Sequence, residues 1–174
     1  MNSLVYLAVL AALLMALPVA GATSEDYRLG AGDEISITVY EEDDLSMTLR
    51  IDQSGTFDYP YLGQIVAKGK STNALKNEIT DGLLQDILIN PSVNISIITY
   101  RDFYIDGEVQ RPGSYPYQPG LTIKQAITLA GGATEWASST KFEILREGRD
   151  ESQPADRNTP IRPGDTVTVL EGFF

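Results

Sequence analysis

The sequence predicts an α+β fold built in two halves, in which stretches with a strand's two-residue period alternate with segments of helical spacing. Three observations carry this reading. Ile35, Ile37 and Val39 alternate with Ser36 and Thr38, as in a strand with one wet face. Leu75, Ile79, Leu83 and Leu84 form an apolar stripe on a helix that Ser71 or Thr72 caps and that runs to about Gln85. A strand through Phe103 to Val109 is followed by a turn at Pro112-Gly113, a short helix after Thr122, and a Gly131-Gly132 stop.

Taken in order, the chain opens on Met1 to Ala22, which carries no charged side chain and is apolar from Leu4 to Leu17. Pro18 and the triplet Ala20-Gly21-Ala22 complete the pattern of a secretory signal peptide, residues 1–22, with cleavage before Thr23. The alternative is an uncleaved membrane anchor, ranked second because the apolar run is shorter than the ~20 residues of a spanning helix. Gly32-Asp33 then launches the first strand: the glycine supplies an unusual φ and the aspartate bonds back to nearby N–H groups. After the helix, Pro91 forces an extended start for the strand through Val93, Ile95 and Ile97. The chain divides near Tyr100-Arg101 into units 23–100 and 101–174. Each is small for an independent core, so the two are expected to pack on each other or on neighbouring subunits.

In the second unit, Gly107 and Pro112-Gly113 supply turn chemistry, with a fixed φ followed by a residue free to take φ > 0. Thr122 and Gln125 form a capping box, and Ile123, Ala126, Ile127 and Ala130 give the helix its apolar face. Residues 146–157 are polar and without periodicity, a long loop between the last two strands. Gly164-Asp165 repeats the earlier Gly-Asp turn ahead of Val167 and Val169.

The order Gly107-Glu108-Val109-Gln110-Arg111-Pro112-Gly113, then the helix into Ala130-Gly131-Gly132, then Pro163-Gly164-Asp165 resembles the soluble ligand-binding β-grasp domain of bacterial outer-membrane polysaccharide export proteins. Tyr27 to Ile37, Pro60 to Ile65 and Asn90 to Ile95 are similar to the export domain of the same family. The resemblance implies a small mixed α/β export domain at 23–100 followed by a β-grasp-like domain at 101–174. Ala31 stands where that family often has proline, which costs the turn some rigidity.

Composition narrows the chemistry. With no histidine and no cysteine, Ser-His and Cys-His nucleophiles, disulfides and a lipid-modified cysteine are all excluded from this chain. The acidic run Glu41-Glu42-Asp43-Asp44 lacks the alternating spacing and central glycine of a calcium loop, and reads as a solvated loop. Gly69-Lys70-Ser71 only imitates a phosphate loop, because position 64 is Gln. No catalytic residue, cofactor or metal site is expected, and the ligand-binding residues are left open. A net charge of −11 argues against nucleic acid and against adhesion to acidic polymer. Of the aromatic residues able to stack on sugars, Tyr59, Tyr61, Tyr100, Phe103, Tyr104, Tyr115, Tyr117 and Trp136, most are assigned to packing.

The resemblance implies a non-enzymatic periplasmic component, peripheral to the outer membrane, of an apparatus that exports capsular polysaccharide or exopolysaccharide. Its implied partners are the polysaccharide, further copies of itself in a ring-shaped conduit, and an inner-membrane polysaccharide co-polymerase. Family members that cross the outer membrane do so with a C-terminal amphipathic helix. Only Leu170 to Phe174 follow the last predicted strand, so a separate outer-membrane β-barrel is expected, with Phe173-Phe174 as docking or core residues. The alternative is a monomeric periplasmic carbohydrate-binding module, distinguished by size in solution.

Overall fold

Ile35, Ile37 and Val39 all lie inward on strand β1 (Glu34–Val39), at 0 to 2% exposure, because a two-residue period places every second side chain on one face. A computed structural model describes residues 27–172; the predicted signal peptide and the Phe173-Phe174 pair lie outside the described residues. β1 is the centre of a three-stranded antiparallel sheet, flanked by β2 (Met47–Arg50) and β5 (Val93–Thr99). Ile37 faces Ile95 and Val39 faces Val93 across β1 and β5. A hairpin of β3 (Thr56–Tyr59) and β4 (Gly63–Val66) adds a two-stranded sheet.

Helix α1 (Thr72–Asp86) is capped by the Ser71 side chain, which accepts a 3.1 Å bond from the Ala74 N–H and so resolves the choice between Ser71 and Thr72. Leu75, Ile79 and Leu83 are wholly buried at a strict four-residue spacing. Leu84, expected on the same stripe, is 47% exposed: one residue past Leu83 it has turned about 100° away from the core. Leu75, Ile79, Leu83, Leu29, the inward residues of β1, and Phe57, Tyr59 and Ile65 form one core.

The second unit is a five-stranded sheet in the order β7-β6-β10-β8-β9, with helix α2 (Ile123–Leu129) on it. Its strands are β6 (Phe103–Gly107), β7 (Gly113–Tyr115), β8 (Ala137–Leu145), β9 (Gln153–Ala155) and β10 (Thr166–Glu171). β6 and β10 run parallel at the centre, and every other pairing is antiparallel. Phe103, Ile105, Val167, Val169, Ile123 and Ala126 fill a second, separate core. Together the elements make the α+β architecture the sequence predicts.

Three further details differ from the sequence reading. β6 stops at Gly107 rather than Val109, because Gly107 has φ +76° and a side chain there would meet the Val169 carbonyl oxygen at 2.2 Å. Gly113 takes the positive φ expected of it, +155°, but does so as the first residue of β7, with open space around it. Segment 146–157 is not all loop, since Gln153–Ala155 pairs with β8 as an edge strand. Among the described residues no helix is long and apolar enough to cross a membrane.

Candidate functional site

The two Gly-Asp turns expected from the sequence fold alike. Gly32 and Gly164 take φ +93° and +81°. In each turn the aspartate accepts from the N–H three residues earlier, Gly30 to Asp33 Oδ2 at 2.8 Å and Arg162 to Asp165 Oδ2 at 2.7 Å. The structure brings these turns to either side of Arg101. A Cβ on Gly32 would lie 3.3 Å from the Arg101 Cβ, and one on Gly164 would lie 3.1 Å from the Arg101 Nε.

Arg101 ties the two units together. Its backbone N–H donates to Asp33 Oδ1 at 2.8 Å, and its Nη1 donates to Asp33 Oδ2 at 3.0 Å and to the Tyr27 hydroxyl at 2.6 Å. On the other side its Nε donates to Glu147 Oε2 at 2.8 Å, and Nη2 also bonds that carboxylate. The Tyr27 hydroxyl in turn donates to Asp33, at 2.7 Å from Oδ2. Asp33 is fully buried, so its charge depends on these donors. Burial, and then the adjoining Asp33 carboxylate, push the Tyr27 hydroxyl well above its ordinary pKa. Burial works against the Arg101 charge, but Tyr27, Asp33 and Glu147 outweigh it and the net direction is upward. A tyrosine ladder crosses the same junction: Tyr27 meets Tyr100 edge-on at 5.0 Å, and Tyr100 meets Tyr117 at 5.4 Å.

Asp165 is tied within the second unit. It is 1% exposed, pairs with Arg146, and its carbonyl accepts from the Tyr104 N–H at 2.8 Å, while Gly164 N–H reaches the Asp102 carbonyl at 2.9 Å. The other motif residues gather elsewhere, at the end of α2. Gly131 and Gly132 have φ +86° and +95°, their N–H groups take up the Thr128 and Ile127 carbonyls of the helix, and the loop after Gly107 bonds to carbonyls just beyond it. Arg111 N–H donates to Ala130 O and Gln110 N–H to Gly132 O, both at 2.9 Å. The Gly107–Gly113 motif and the Ala130-Gly131-Gly132 motif are therefore one structural unit, with exposed Pro112 leading into β7. The Gln125 side chain accepts from the Thr122 N–H at 2.9 Å, the capping interaction expected for α2.

Between the units lies an open cleft of about 490 Å³, bordered by Gly32, Arg50, Asp102, Tyr104, Glu147 and Gly164. Of the eight aromatic candidates, Tyr59 and Phe103 are buried and unable to meet a ligand, at 2% and 0% exposure. Tyr61, Tyr104 and Trp136 are exposed, and Tyr104 alone of these borders the cleft. Sequence reasoning passed over Arg101, Tyr27 and Glu147: an arginine beside a domain boundary carries no local signal, and Glu147 sits in a polar stretch 46 residues on. The chemistry of the arrangement is that of a clamp, in which every oxygen of Asp33 is occupied by donors and the Tyr27 proton is held.

Residues 21–98 match the family model of the polysaccharide biosynthesis/export protein, and residues 103–156 match the SLBB domain. The central strand β10 lies beyond the second match. The chain is 32% identical over 165 residues to the exopolysaccharide production protein ExoF of Rhizobium meliloti, covering 84% of this chain and 39% of that protein. It is 27% identical over 184 residues to the EPS I polysaccharide export outer membrane protein EpsA of Ralstonia nicotianae, covering 85% of this chain and 48% of that protein. With the EpsA of Ralstonia solanacearum it shares 25% identity over 175 residues, covering 84% and 46%. The chain thus spans less than half the length of these relatives.

Proposed function

Because this chain belongs to the polysaccharide export protein family, we propose that it is a non-catalytic component of a bacterial exopolysaccharide or capsule export apparatus. It acts in the periplasm beside the outer membrane, as part of a ring-shaped conduit or docked into one, with further copies of itself, the polymer, an inner-membrane co-polymerase and an outer-membrane pore protein as partners. The working units are 23–100 and 101–174.

One observation supports this reading above the others. The export domain and the SLBB domain stand in family order, and Arg101, between the two matched stretches, pairs with the buried Asp33 on one side and with Glu147 on the other. A conduit wall needs a set angle between its parts, whereas a mobile linker would serve a tethered binding module. The exposed Tyr104 in the junction cleft favours, as a second reading, a monomeric carbohydrate-binding module.

Deletion of the gene followed by assay of secreted and cell-retained polymer tests the proposal. Polymer should be made and retained, and the wild-type chain should restore secretion. Normal secretion without the protein would refute it. Mass spectrometry of cross-linked envelopes tests self-assembly, since a ring gives ladders of the chain with itself and a module gives none. Incubating purified protein with the polymer should leave chain length unchanged, and shortening would overturn the non-catalytic part.

A further inference from the structure

We propose that the junction cleft is a saccharide subsite that takes an uncharged pyranose residue of the transported polymer, with its ring stacked on Tyr104. The inference rests on the export reading for the identity of the polymer, but its chemistry comes from the cleft.

Tyr104 supplies an aromatic platform. On β6, Phe103 and Ile105 point into the core at 0% and 1% exposure, so the pleat puts Tyr104 on the outer face, where it is 51% exposed. Its cross-strand neighbours are Ser114 and Thr166, which are small and hydroxylated. A flat apolar ring left in water beside short polar neighbours suits the C–H face of a sugar, because stacking buries apolar area on both without stranding a hydroxyl.

The cleft border also carries a set of held polar groups. Asp102 is oriented by the Ser114 hydroxyl at 2.8 Å, Glu147 by Arg101, and Arg50 by Glu34 at 3.2 Å. Planar carboxylates and a guanidinium pair well with adjacent sugar hydroxyls, and side chains already oriented lose less freedom on binding. Gly32 and Gly164, both at positive φ, flank the Arg101 side chain, which forms the floor of the cleft between them. A Cβ on Gly164 would run into the Glu147 carboxylate.

Charge selects the class of sugar. Both bordering arginines are already paired with carboxylates, Arg50 with Glu34 and Arg101 with Asp33 and Glu147. Asp102 and Glu147 face the cleft in a chain of net charge −11. A uronate or phosphate would find no uncommitted cation there and two like charges, so the favoured occupant is neutral.

The test is an NMR titration of the isotope-labelled full chain with short oligosaccharides cut from the producing cell's own secreted polysaccharide, separated into neutral and uronate-bearing fractions. The neutral fraction should shift amides at Gly32, Thr99, Tyr104 and Gly164. Tyr104→Phe should bind as the wild type does, while Tyr104→Ala should bind about fivefold to tenfold more weakly with unchanged thermal unfolding. The proposal fails if neither fraction binds, if shifts cluster instead around Tyr61 or Trp136, if Tyr104→Ala binds normally, or if the uronate fraction binds tighter. The deletion assay is independent: retained polymer with no binding leaves export standing and removes the subsite, whereas normal secretion with localised shifts keeps the subsite and removes export.

Discussion

Replacing Arg101 by alanine strips a fully buried Asp33 of its cationic partner and leaves Glu147 without its guanidinium. Asp33 keeps bonds from Tyr27, Gly30 and the backbone N–H of residue 101, so the loss should be about 3 kcal/mol, read by urea denaturation. Arg101→Lys should recover little, since one ammonium lacks the fork that serves Asp33 and Glu147 together. Combining Arg101→Ala with Asp33→Asn should cost less than the sum, because each removes the other's orphan. Asp52 offers a pH test. Ser54 and then the Thr56 N–H hold its carboxyl near pKa about 2, below the ordinary value. A depressed folded-state pKa means that its contribution is complete above the ordinary carboxylate range and is lost as pH falls through about 2. A side-chain carbon NMR titration should show that midpoint, and Asp52→Asn should abolish the associated change in the Thr56 amide.

At the scale of elements, the glycines of the second unit should separate. Gly107→Val places a branched side chain at φ +76° and 2.2 Å from the Val169 carbonyl, where the backbone strain alone costs roughly 1–3 kcal/mol, and parallel pairing of β6 with β10 should be lost first. Gly132→Val meets only the φ of +95° in open space, and Gly113→Val likewise meets only its φ of +155°. Thermal melts should therefore rank Gly107 as the most damaging, with Gly132 and Gly113 together behind it. The sequence marked all three alike because Asp106-Gly107, Pro112-Gly113 and Gly131-Gly132 each read as a turn or stop signal wherever they occur. It read α1, β1 and β5 well, since each has a strong period and a clean cap or proline start. β2, β3, β4 and β9 have at most four residues each, too few for a period to register, and their existence depends on partners.

At the scale of the molecule, charge governs association. Copies carrying −11 each repel one another, and any ring must offset that repulsion at its contacts. Sedimentation velocity should show self-association strengthening as salt rises from low ionic strength toward physiological, where the Debye length falls to about 8 Å. Weakening with added salt would mean that oppositely charged patches drive assembly instead. The clamp adds a further expectation at this scale: Arg101→Ala should let the two cores unfold in separate transitions, where the wild type unfolds in one.

The sequence alone determined the α+β class, the two Gly-Asp turns and the principal helices, because period, caps and glycine φ are local properties that a few neighbouring residues settle. It also carried the family resemblance in the order of its turn motifs. Only the tertiary structure decided that Arg101 is the clamp, that the Gly107 and Gly131 motifs meet, and that Tyr104 rather than Tyr59 or Phe103 faces the cleft. Those facts arise from residues far apart in the chain, such as Asp33 with Arg101 and Arg101 with Glu147, and no local pattern encodes which distant side chain will arrive to satisfy a buried charge.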